Sequence, residues 1–453
     1  ERMKKILLLS MPFGAMERPA LGLSLLKARL TRDGILCDVR YPSFTFADLL
    51  GAEEYQWISS ALPYIAFAGD WCFAEALYGP RPAADEDYIA RVLQETWSLS
   101  LDDIARIKAV RAMAGKFLDH CMGCIPWRQY AVVGFTSTFE QNLASLALAK
   151  RIKVAHPCIA TVFGGANWEG VMGEELHRQF SFVDYVCPGE ADESFPALAA
   201  LLRAGTSKGA ALPAGVLFRD GQRTFSTGRS MPVRDMDALP VPDFSDYFRE
   251  WSESGASLVT VPRVLVETSR GCWWGDKSHC TFCGLNGATM AYRSKSGVRA
   301  LEEMRFLSDH WQTDRIEVVD NILDMRYFSD LLPALAADGR PWEIFYEVKA
   351  NLTRAQVAAL RAAGRLGAVL LQFPFFFPNT DAARARVPGV SRRQKRARLV
   401  ERPAPRGVDA LCGTGHARAE RRGLVAHRNS AVQARPLRIA GRASDRDRRA
   451  QRT

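Results

Sequence analysis

The sequence predicts an α/β protein with a doubly wound, Rossmann-like sheet in its first half and an incomplete (β/α) barrel in its second half, followed by a disordered Arg-rich tail. Three observations predict this class. Short apolar runs alternate with helically spaced segments near the start of the chain. The same alternation resumes beyond residue 263, around a cluster of cysteines. The composition then changes abruptly near residue 380.

The first half contains two β-α-β units, which are typical of a parallel sheet. The predicted elements are a strand at 5–10, a helix at 22–30, a strand at 35–41, a strand at 131–135, a helix at 142–154 and a strand at 159–163. Residues 50–128, between the two units, are rich in aromatic residues and in helical spacing. We expect them to form a helical insertion.

Three polar or glycine-containing loops follow strands of this half. They are Thr136-Ser137-Thr138, Gly164-Gly165-Ala166-Asn167 and Pro188-Gly189-Glu190. Open α/β sheets bind ligands at the carboxyl ends of their strands, and paired glycines let a backbone approach a large flat or phosphorylated ligand. Ordinary turns of a doubly wound sheet are the alternative interpretation of each loop taken alone.

The most informative stretch is the cysteine cluster at 267–284. Cys272, Cys280 and Cys283 are spaced C-x7-C-x2-C in one loop after a predicted strand at 264–267. Three thiolates can ligate three irons of a [4Fe-4S] cluster and leave the fourth iron open for chemistry. A Cys3His zinc site with His279 is a weaker alternative, because a residue adjacent to Cys280 rarely reaches the same metal.

A second pair of cysteines, Cys121 and Cys124, forms a lone C-x2-C beside His120. No second pair follows at a spacing suited to zinc, so helix-end core cysteines are the favoured interpretation.

Repeated β-α units follow the cysteine cluster. The predicted elements are a helix at 298–310, a strand at 316–319, a helix at 328–337, a strand at 344–347 and a helix at 354–363. Asp320 and Asn321 come after the first of these strands, and Glu347 and Lys349 come at the end of the second. In a parallel α/β barrel that edge carries the active site, so these side chains are expected to point toward the cysteine loop.

Residues 267–286, together with 319–324 and 345–351, resemble the radical SAM enzymes that mature ribosomally made peptides. They are more narrowly similar to the cobalamin-dependent C-methyltransferase branch, which uses the C-x7-C-x2-C spacing. The resemblance covers about residues 3–363. It implies a B12-binding-type α/β domain at 3–230, a linker at 231–262, an incomplete radical SAM core at 263–372 and a tail at 373–453.

The resemblance implies three cofactors and a mechanism. A [4Fe-4S] cluster would be held by Cys272, Cys280 and Cys283, and S-adenosyl-L-methionine (SAM) bound to its open iron would give a 5′-deoxyadenosyl radical that abstracts hydrogen from the substrate. Cobalamin would then supply the methyl group. Candidate SAM or substrate contacts are Phe282, Gly284, Asp320, Asn321, Glu347 and Lys349, and candidate cobalamin contacts are Thr136, Ser137, Gly164, Gly165, Asn167, Gly189 and Glu190.

The same resemblance implies a precursor peptide as substrate and an electron donor such as flavodoxin or ferredoxin as partner. The Asp-x-His-x-x-Gly signature that supplies a histidine to cobalt is missing, so cobalamin here would lack a ligand from that motif. Two other functions remain open. One is a radical SAM peptide epimerase or cross-linking enzyme without cobalamin, and the other is a non-catalytic remnant or a basic-tailed binding protein.

The net positive charge of the chain lies in the tail. From residue 381 onward there are 19 Arg and one Lys against four Asp and two Glu, and no Phe, Trp or Tyr, whereas the full chain has a net charge of +10. The resemblance also stops at about residue 364, where the family continues with a further strand and a Gly-Ile-Glu-Ser-like turn. Out-of-frame translation is therefore favoured over a disordered extension, and a barrel left incomplete predicts poor solubility and weak activity.

A nucleic-acid-binding arm is disfavoured because the tail lacks aromatic stacking residues and a regular stripe of basic residues. A membrane protein is also disfavoured, since the longest apolar stretch, 57–71, is interrupted by Pro63 and Asp70. Ten cysteines, three of them tightly clustered, favour metal chemistry in a reducing compartment. The expected location is the cytoplasm.

Overall fold

A computed structural model describes residues 4–205, 212–280, 283–284, 289–349, 351–363 and, for the backbone, 365–372. All of these belong to one compact unit. The predictions made for Phe282 and for the tail at 373–453 lie outside the described residues.

The first half is built on a seven-stranded sheet in the order β2-β1-β3-β4-β5-β6-β7. Its strands are β1 (Lys5–Ser10), β2 (Cys37–Arg40), β3 (Tyr130–Thr136), β4 (Ala160–Gly164), β5 (Tyr185–Val186), β6 (Leu217–Asp220) and β7 (Arg223–Ser226). The first five are parallel, which confirms the predicted doubly wound class. The antiparallel hairpin β6–β7 extends the sheet beyond what the sequence predicted.

Helices cover both faces of this sheet. They are α1 (Leu21–Arg32), α2 (Pro42–Leu50), α3 (Ala52–Gln56), α4 (Ala68–Tyr78), α5 (Pro82–Asp87), α6 (Leu101–Cys124), α7 (Asn142–Ala155), α8 (Gly170–Gln179) and α9 (Ser194–Arg203), with π-helical segments at Trp57–Ala61 and Tyr88–Thr96. The consecutive residues Ile6, Leu7, Leu8 and Leu9 of β1 are at most 1% exposed, as expected for a parallel strand covered on both sides. The helical content expected between 50 and 128 is present.

The longest helix, α6, shows how local sequence sets an element. Ser100 caps it in a capping box, because its hydroxyl accepts from the Asp103 N–H at 3.1 Å while the Asp103 carboxylate accepts from the Ser100 N–H at 3.3 Å. The helix ends at Cys124, whose Sγ lies 3.7 Å from Nδ1 of His120, and Cys121 is buried. Both cysteines are therefore at a helix end, as predicted, but only Cys121 belongs to the core, because Cys124 is exposed.

The segment between the halves is more structured than a linker. It contains α10 (Ser245–Glu253) and α11 (Ala256–Val259). Carboxylates of Asp246 and Glu250 on α10 accept hydrogen bonds from the outward N–H groups of Val39 and Tyr41, at 2.9 and 2.8 Å. Helix α10 therefore supplies acceptors for two N–H groups at the free edge of β2, which would otherwise be unpaired.

The second half has a four-stranded, fully parallel sheet in the order β13-β12-β11-β8. Its elements are β8 (Val264–Val266), β9 (Ser269–Arg270), α12 (Trp273–Lys277), β10 (Arg293–Ser294), α13 (Gly297–Trp311), β11 (Arg315–Val318), α14 (Leu331–Asp338), β12 (Glu343–Lys349), α15 (Arg354–Ala362) and β13 (Arg365–Gln372). The β-α alternation confirms the predicted fold class.

Two details of this half differ from the sequence prediction. The helix expected from residue 328 begins instead at Leu331, after a 3-10 turn over Met325–Phe328. Residues 365–372, where the resemblance stops, still form a strand parallel to β12. Among the described residues, no helix has the length and apolarity needed to cross a bilayer.

Candidate functional site

A cavity of about 1050 Å³ lies at the carboxyl edge of the first sheet and is bounded on its other side by the second half. Its lining from the first half includes Thr136, Gly164, Gly165, Gly189, Glu190 and Asp192, and its lining from the second half includes Glu267, Ser269, Arg270, Gly271, Arg293, Val319 and Asn321. The polar loops of the first half and the cysteine loop of the second half, which the sequence indicated separately, therefore line the same cavity.

The wall from the first sheet is built by the loops after β3 and β4. Gly165 has a φ of +94°, and a Cβ there would lie 2.6 Å from the carbonyl oxygen of Ser137, so only glycine fits. Asn167 donates from Nδ2 to Oγ of Ser137 at 3.0 Å and to the Phe139 carbonyl at 2.9 Å. Ser137 and Asn167 thus join the two loops to each other, while Thr136, Gly164 and Gly165 line the cavity.

The predicted cobalamin candidate Glu190 lies in a network of charged side chains. Its carboxylate accepts from Arg293 at 2.6 and 3.1 Å, from Arg270 at 3.1 Å and from the Val233 N–H at 3.0 Å. Burial acts to raise the pKa of Glu190, but the hydrogen bond from Arg293 and the charge of Arg270 outweigh it, and the pKa is lowered overall. Glu190 is therefore held as a carboxylate.

Arg270 is the centre of this network and was not identified from the sequence as a functional residue. Its guanidinium donates to Asp192 at 2.7 and 3.2 Å, to Glu267 at 2.9 Å and to Glu190 at 3.1 Å. Burial would lower its pKa, but the charge of Glu267 and the hydrogen bond to Asp192 raise it overall. The best indication in the sequence was that Arg270 lies within the cysteine motif. Its partners are up to 80 residues away along the chain, so no local pattern connects them to it.

The cysteine loop begins at Gly271, which has a φ of +81° and approaches the carbonyl of Ala291 so closely that a Cβ would lie 2.3 Å from it. The next residue, Cys272, donates its N–H to the Met290 carbonyl at 3.3 Å, and its Sγ accepts from the Gly275 N–H at 3.3 Å. The Gly275 N–H thus orients the Cys272 sulfur at the start of the loop.

Cys272, Cys280 and Cys283 are all free and partly exposed, so the donor set has the chemistry of an iron–sulfur site. Within the described part of the chain, no group of three or more Cys, His, Asp or Glu side chains is arranged around a common point for a metal ion. Residues 281–282 and 285–288 of this loop lie outside the described residues. The assignment of the three cysteines as cluster ligands stays a prediction.

Asp320 is 2% exposed and joins the ends of β8 and β11. Its carboxylate accepts from the Thr268 N–H at 2.8 Å, from the Thr268 hydroxyl at 2.5 Å and from the Ser269 hydroxyl at 2.7 Å. Burial raises its pKa to about 6, although the hydrogen bonds from Thr268 and Ser269 act to lower it. Asp320 thus anchors the strand that leads into the cysteine loop, and its contact with SAM stays a prediction.

Lys349 contacts the two tryptophans that follow Cys272. Its Nζ lies 3.3 Å from the ring centroid of Trp274 and 5.5 Å from that of Trp273, and the Trp273 indole N–H donates to the Leu323 carbonyl at 3.0 Å. Desolvation lowers the pKa of Lys349, while the nearby Cys280 acts in the opposite direction. Lys349 therefore lies beside the cysteine loop, as the strand-end pattern predicted.

The remaining SAM candidates are Asn321, Glu347 and Gly284. Asn321 lines the cavity, and the Glu347 carbonyl accepts from the Leu323 N–H at 2.9 Å. A Cβ added at Gly284 would meet no atom of the described chain within 4 Å. The structure thus brings Asn321 to the cavity, and the roles of Glu347 and Gly284 stay predictions.

The sequence matches no protein-family model and no curated protein. Among solved structures, the chain is similar to the cobalamin-dependent S-adenosylmethionine radical enzyme OxsB with aqua-cobalamin bound, with a TM-score of 0.52 and 13% identity over 82% of this chain and 44% of that one. It is also similar to the radical S-adenosylmethionine methyltransferase TsrM from Kitasatospora setae with cobalamin and a [4Fe-4S] cluster bound, with a TM-score of 0.49 and 12% identity over 80% of this chain and 57% of that one. The chain spans about half the length of these proteins.

At this identity the likeness establishes the fold and not the activity. The described chain therefore shares the fold of the matched part of OxsB, a cobalamin-dependent S-adenosylmethionine radical enzyme.

Proposed function

We propose that this protein is a radical SAM enzyme of peptide maturation that uses cobalamin to C-methylate a ribosomally made precursor peptide. The observation that supports it most is that one cavity is lined both by the glycine loops of the first sheet and by the stem of the cysteine loop. Radical methyl transfer needs two cofactors that face one substrate in a space with little water. The fold shared with OxsB supports the same assignment.

In this proposal Cys272, Cys280 and Cys283 hold a [4Fe-4S] cluster, and the carboxyl edge of the first sheet holds cobalamin. When bound, the cluster, SAM and cobalamin supply one-electron chemistry and a transferable methyl group. Gly164 and Gly165 let the backbone approach the cobalamin closely, and Thr136 offers it a hydroxyl. Asn321 lies on the side of the cavity from which SAM and substrate would be contacted.

Three side chains shape the surroundings of the cysteine loop. Trp273 and Trp274, which follow Cys272 in the cysteine loop, place their indole rings against Nζ of Lys349. Asp320 fixes the end of β8, from which the loop departs. The precursor peptide and a flavodoxin or ferredoxin as electron donor are part of the proposal on the strength of the sequence resemblance.

The test is the metal content of the full chain after anaerobic reconstitution with iron, sulfide and cobalamin. We expect about four irons per chain and one cobalt per chain. Replacing Cys272, Cys280 and Cys283 together by alanine should remove the iron. Cys158→Ala is the matched control, because Cys158 is a free, exposed cysteine outside the loop, and it should leave the iron unchanged.

Iron retained by the triple variant would refute the ligand assignment. Iron without cobalt would favour the alternative of a radical SAM enzyme that works without cobalamin. The methyl transfer itself is measured by mass spectrometry of a precursor peptide incubated with the loaded enzyme, SAM and a flavodoxin as reductant.

A further inference from the structure

We infer that Arg270 is a positioning residue: together with Arg293 it clamps the stem of the cysteine loop to Glu190 and Asp192 and so sets the separation of the two walls of the cavity. The clamp is visible in the described residues without any cofactor. Its consequence for the distance between the cofactors rests on the proposed function.

Both arginines lie on the stem of the cysteine loop. Ser269–Arg270 pairs antiparallel with Arg293–Ser294, and Arg270 is the direct partner of Arg293. All three cysteines of the loop lie between these two short strands. Directly opposed residues of an antiparallel pair project from the same face, so the two guanidinium groups leave the stem together.

Like charges directly opposite each other are unfavourable unless an acid lies between them. Glu190 fills this role, because one of its oxygens lies 3.1 Å from Arg270 and 3.1 Å from Arg293 while the other lies 2.6 Å from Arg293. Asp192, two residues along the same loop, is bound by Arg270 through two hydrogen bonds of 2.7 and 3.2 Å. The stem therefore binds the loop after β5 at two positions.

The network is nearly closed to water. The side chains of Arg270, Arg293 and Asp192 are 13% exposed, that of Glu267 is 15% exposed and that of Glu190 is 20% exposed. Removing one partner of such a buried group leaves the others uncompensated, so the arrangement resists small displacements. Arg293 also donates to the Val233 carbonyl at 2.7 Å, which ties the start of the connecting segment into the same clamp.

All five charged residues of the clamp line the cavity. The loop with Glu190 and Asp192 belongs to the first half, and Glu267, Arg270 and Arg293 belong to the second half. A change in the clamp must therefore change the spacing between the glycine loops and the cysteine loop.

The first experiment compares amide hydrogen exchange in the full chain for the wild type, Arg270→Gln and Asp192→Asn. The asparagine variant is the milder one, because it leaves two acids, Glu190 and Glu267, facing the two arginines and so leaves no excess charge in the site. We expect exchange at residues 188–192 and 268–271 to rise roughly tenfold in both variants, with exchange at β1 and β11 unchanged. The full chain is used throughout.

The control is Arg111→Gln. Arg111 is also a buried arginine, 10% exposed, and it binds Asp85 at 2.7 Å and Glu75 at 3.4 Å, but these partners all belong to the helical part of the first half. It should raise exchange locally and leave 188–192 and 268–271 as in the wild type. Wild-type exchange at both segments in Asp192→Asn, or an equal rise there in Arg111→Gln, would overturn the inference.

The second experiment uses the chain loaded with the cluster and cobalamin, both in their paramagnetic forms. The magnetic coupling between the two spins is measured by electron paramagnetic resonance in wild type and Asp192→Asn at matched iron and cobalt content. The clamp predicts a changed or broadened coupling in the variant. An identical coupling would refute the positioning role, whereas a wild type that binds no cobalt would refute the proposed function and leave the exchange result to decide on the clamp.

Discussion

Replacing Asp320 should destabilise the second half by an amount that depends on what replaces it. In Asp320→Ala the Thr268 N–H, the Thr268 hydroxyl and the Ser269 hydroxyl lose the acceptor that they now share. A buried donor without a partner costs roughly 1–3 kcal/mol. The Thr268 hydroxyl also contacts the hydroxyl of Tyr346, so the lower end of this range applies, and we expect a loss of about 3 kcal/mol in total at pH 4, where the wild-type Asp320 is neutral in the folded protein.

The stability of Asp320→Asn should differ from that of Asp320→Ala, because burial disfavours the charged carboxylate of Asp320. The pKa of Asp320 is raised from 3.8 to about 6, chiefly by burial. Each pKa unit corresponds to about 1.4 kcal/mol, so keeping the carboxylate ionised in the folded protein costs about 3 kcal/mol above pH 6. The neutral amide avoids this cost and keeps an acceptor for the Thr268 N–H. We therefore expect this variant to be within about 1 kcal/mol of the wild type at pH 7.5.

The sign of the pH dependence follows from the raised pKa. At Asp320 the folded wild type binds a proton more tightly than the unfolded chain does. The stability that this proton contributes is therefore fully present below about pH 4 and is lost as the pH rises to about 6. The stability of Asp320→Asn relative to the wild type should increase over this interval. This difference in stability is measured by urea unfolding between pH 4.5 and 7.5, with tryptophan fluorescence as the signal. Equal stability of the alanine and asparagine variants, or a difference that stays flat with pH, would show that burial of the charge is not what sets the stability here.

Two further predictions concern the first half. Asp70 and Glu140 are both buried, their pKa values are raised by burial to about 7 and about 8, and the carboxylates accept from the N–H groups of Leu143 and Gly69. The melting temperature of the wild type should therefore fall from pH 5 to pH 8, and the double variant Asp70→Asn/Glu140→Gln should reduce this slope; an unchanged slope would contradict the assignment. Gly165→Ala should lower the cobalt content of the reconstituted chain because its Cβ would press on the loop after β3, whereas Gly34→Ala, at another positive φ of +72° but with no described atom within 4 Å and away from the cavity lining, is the control and should retain cobalt.

Most of the fold could be predicted because its elements depend on local pattern. The apolar run of β1 and the helical spacing of α7 are each contained in a few neighbouring residues, and both elements are present close to their predicted bounds. The hairpin β6–β7 was not predicted, since Leu217–Asp220 and Arg223–Ser226 contain charged and polar residues and only part of β6 is buried. Its place in the sheet depends on pairing with β5.

The site was harder to predict than the fold. The strand-end pattern identified Asp320 and Asn321 together, but it could not show that Asn321 lines the cavity while Asp320 is buried beneath it. Sequence reasoning also missed the clamp around Arg270, because Asp192 is 78 residues away along the chain and meets it only in the folded protein. Contacts of this kind depend on how the two halves pack and have no local signal.

The proposed function depends on one cavity that brings SAM at an iron–sulfur cluster together with cobalamin. The sharpest test is the electron paramagnetic resonance spectrum of the reduced, reconstituted full chain before and after SAM is added, with and without cobalamin. We expect a cluster signal that depends on Cys272, Cys280 and Cys283, that changes on addition of SAM, and that couples to cobalt when cobalamin is present. A cluster signal that is unaffected by both SAM and cobalamin would contradict the proposed function.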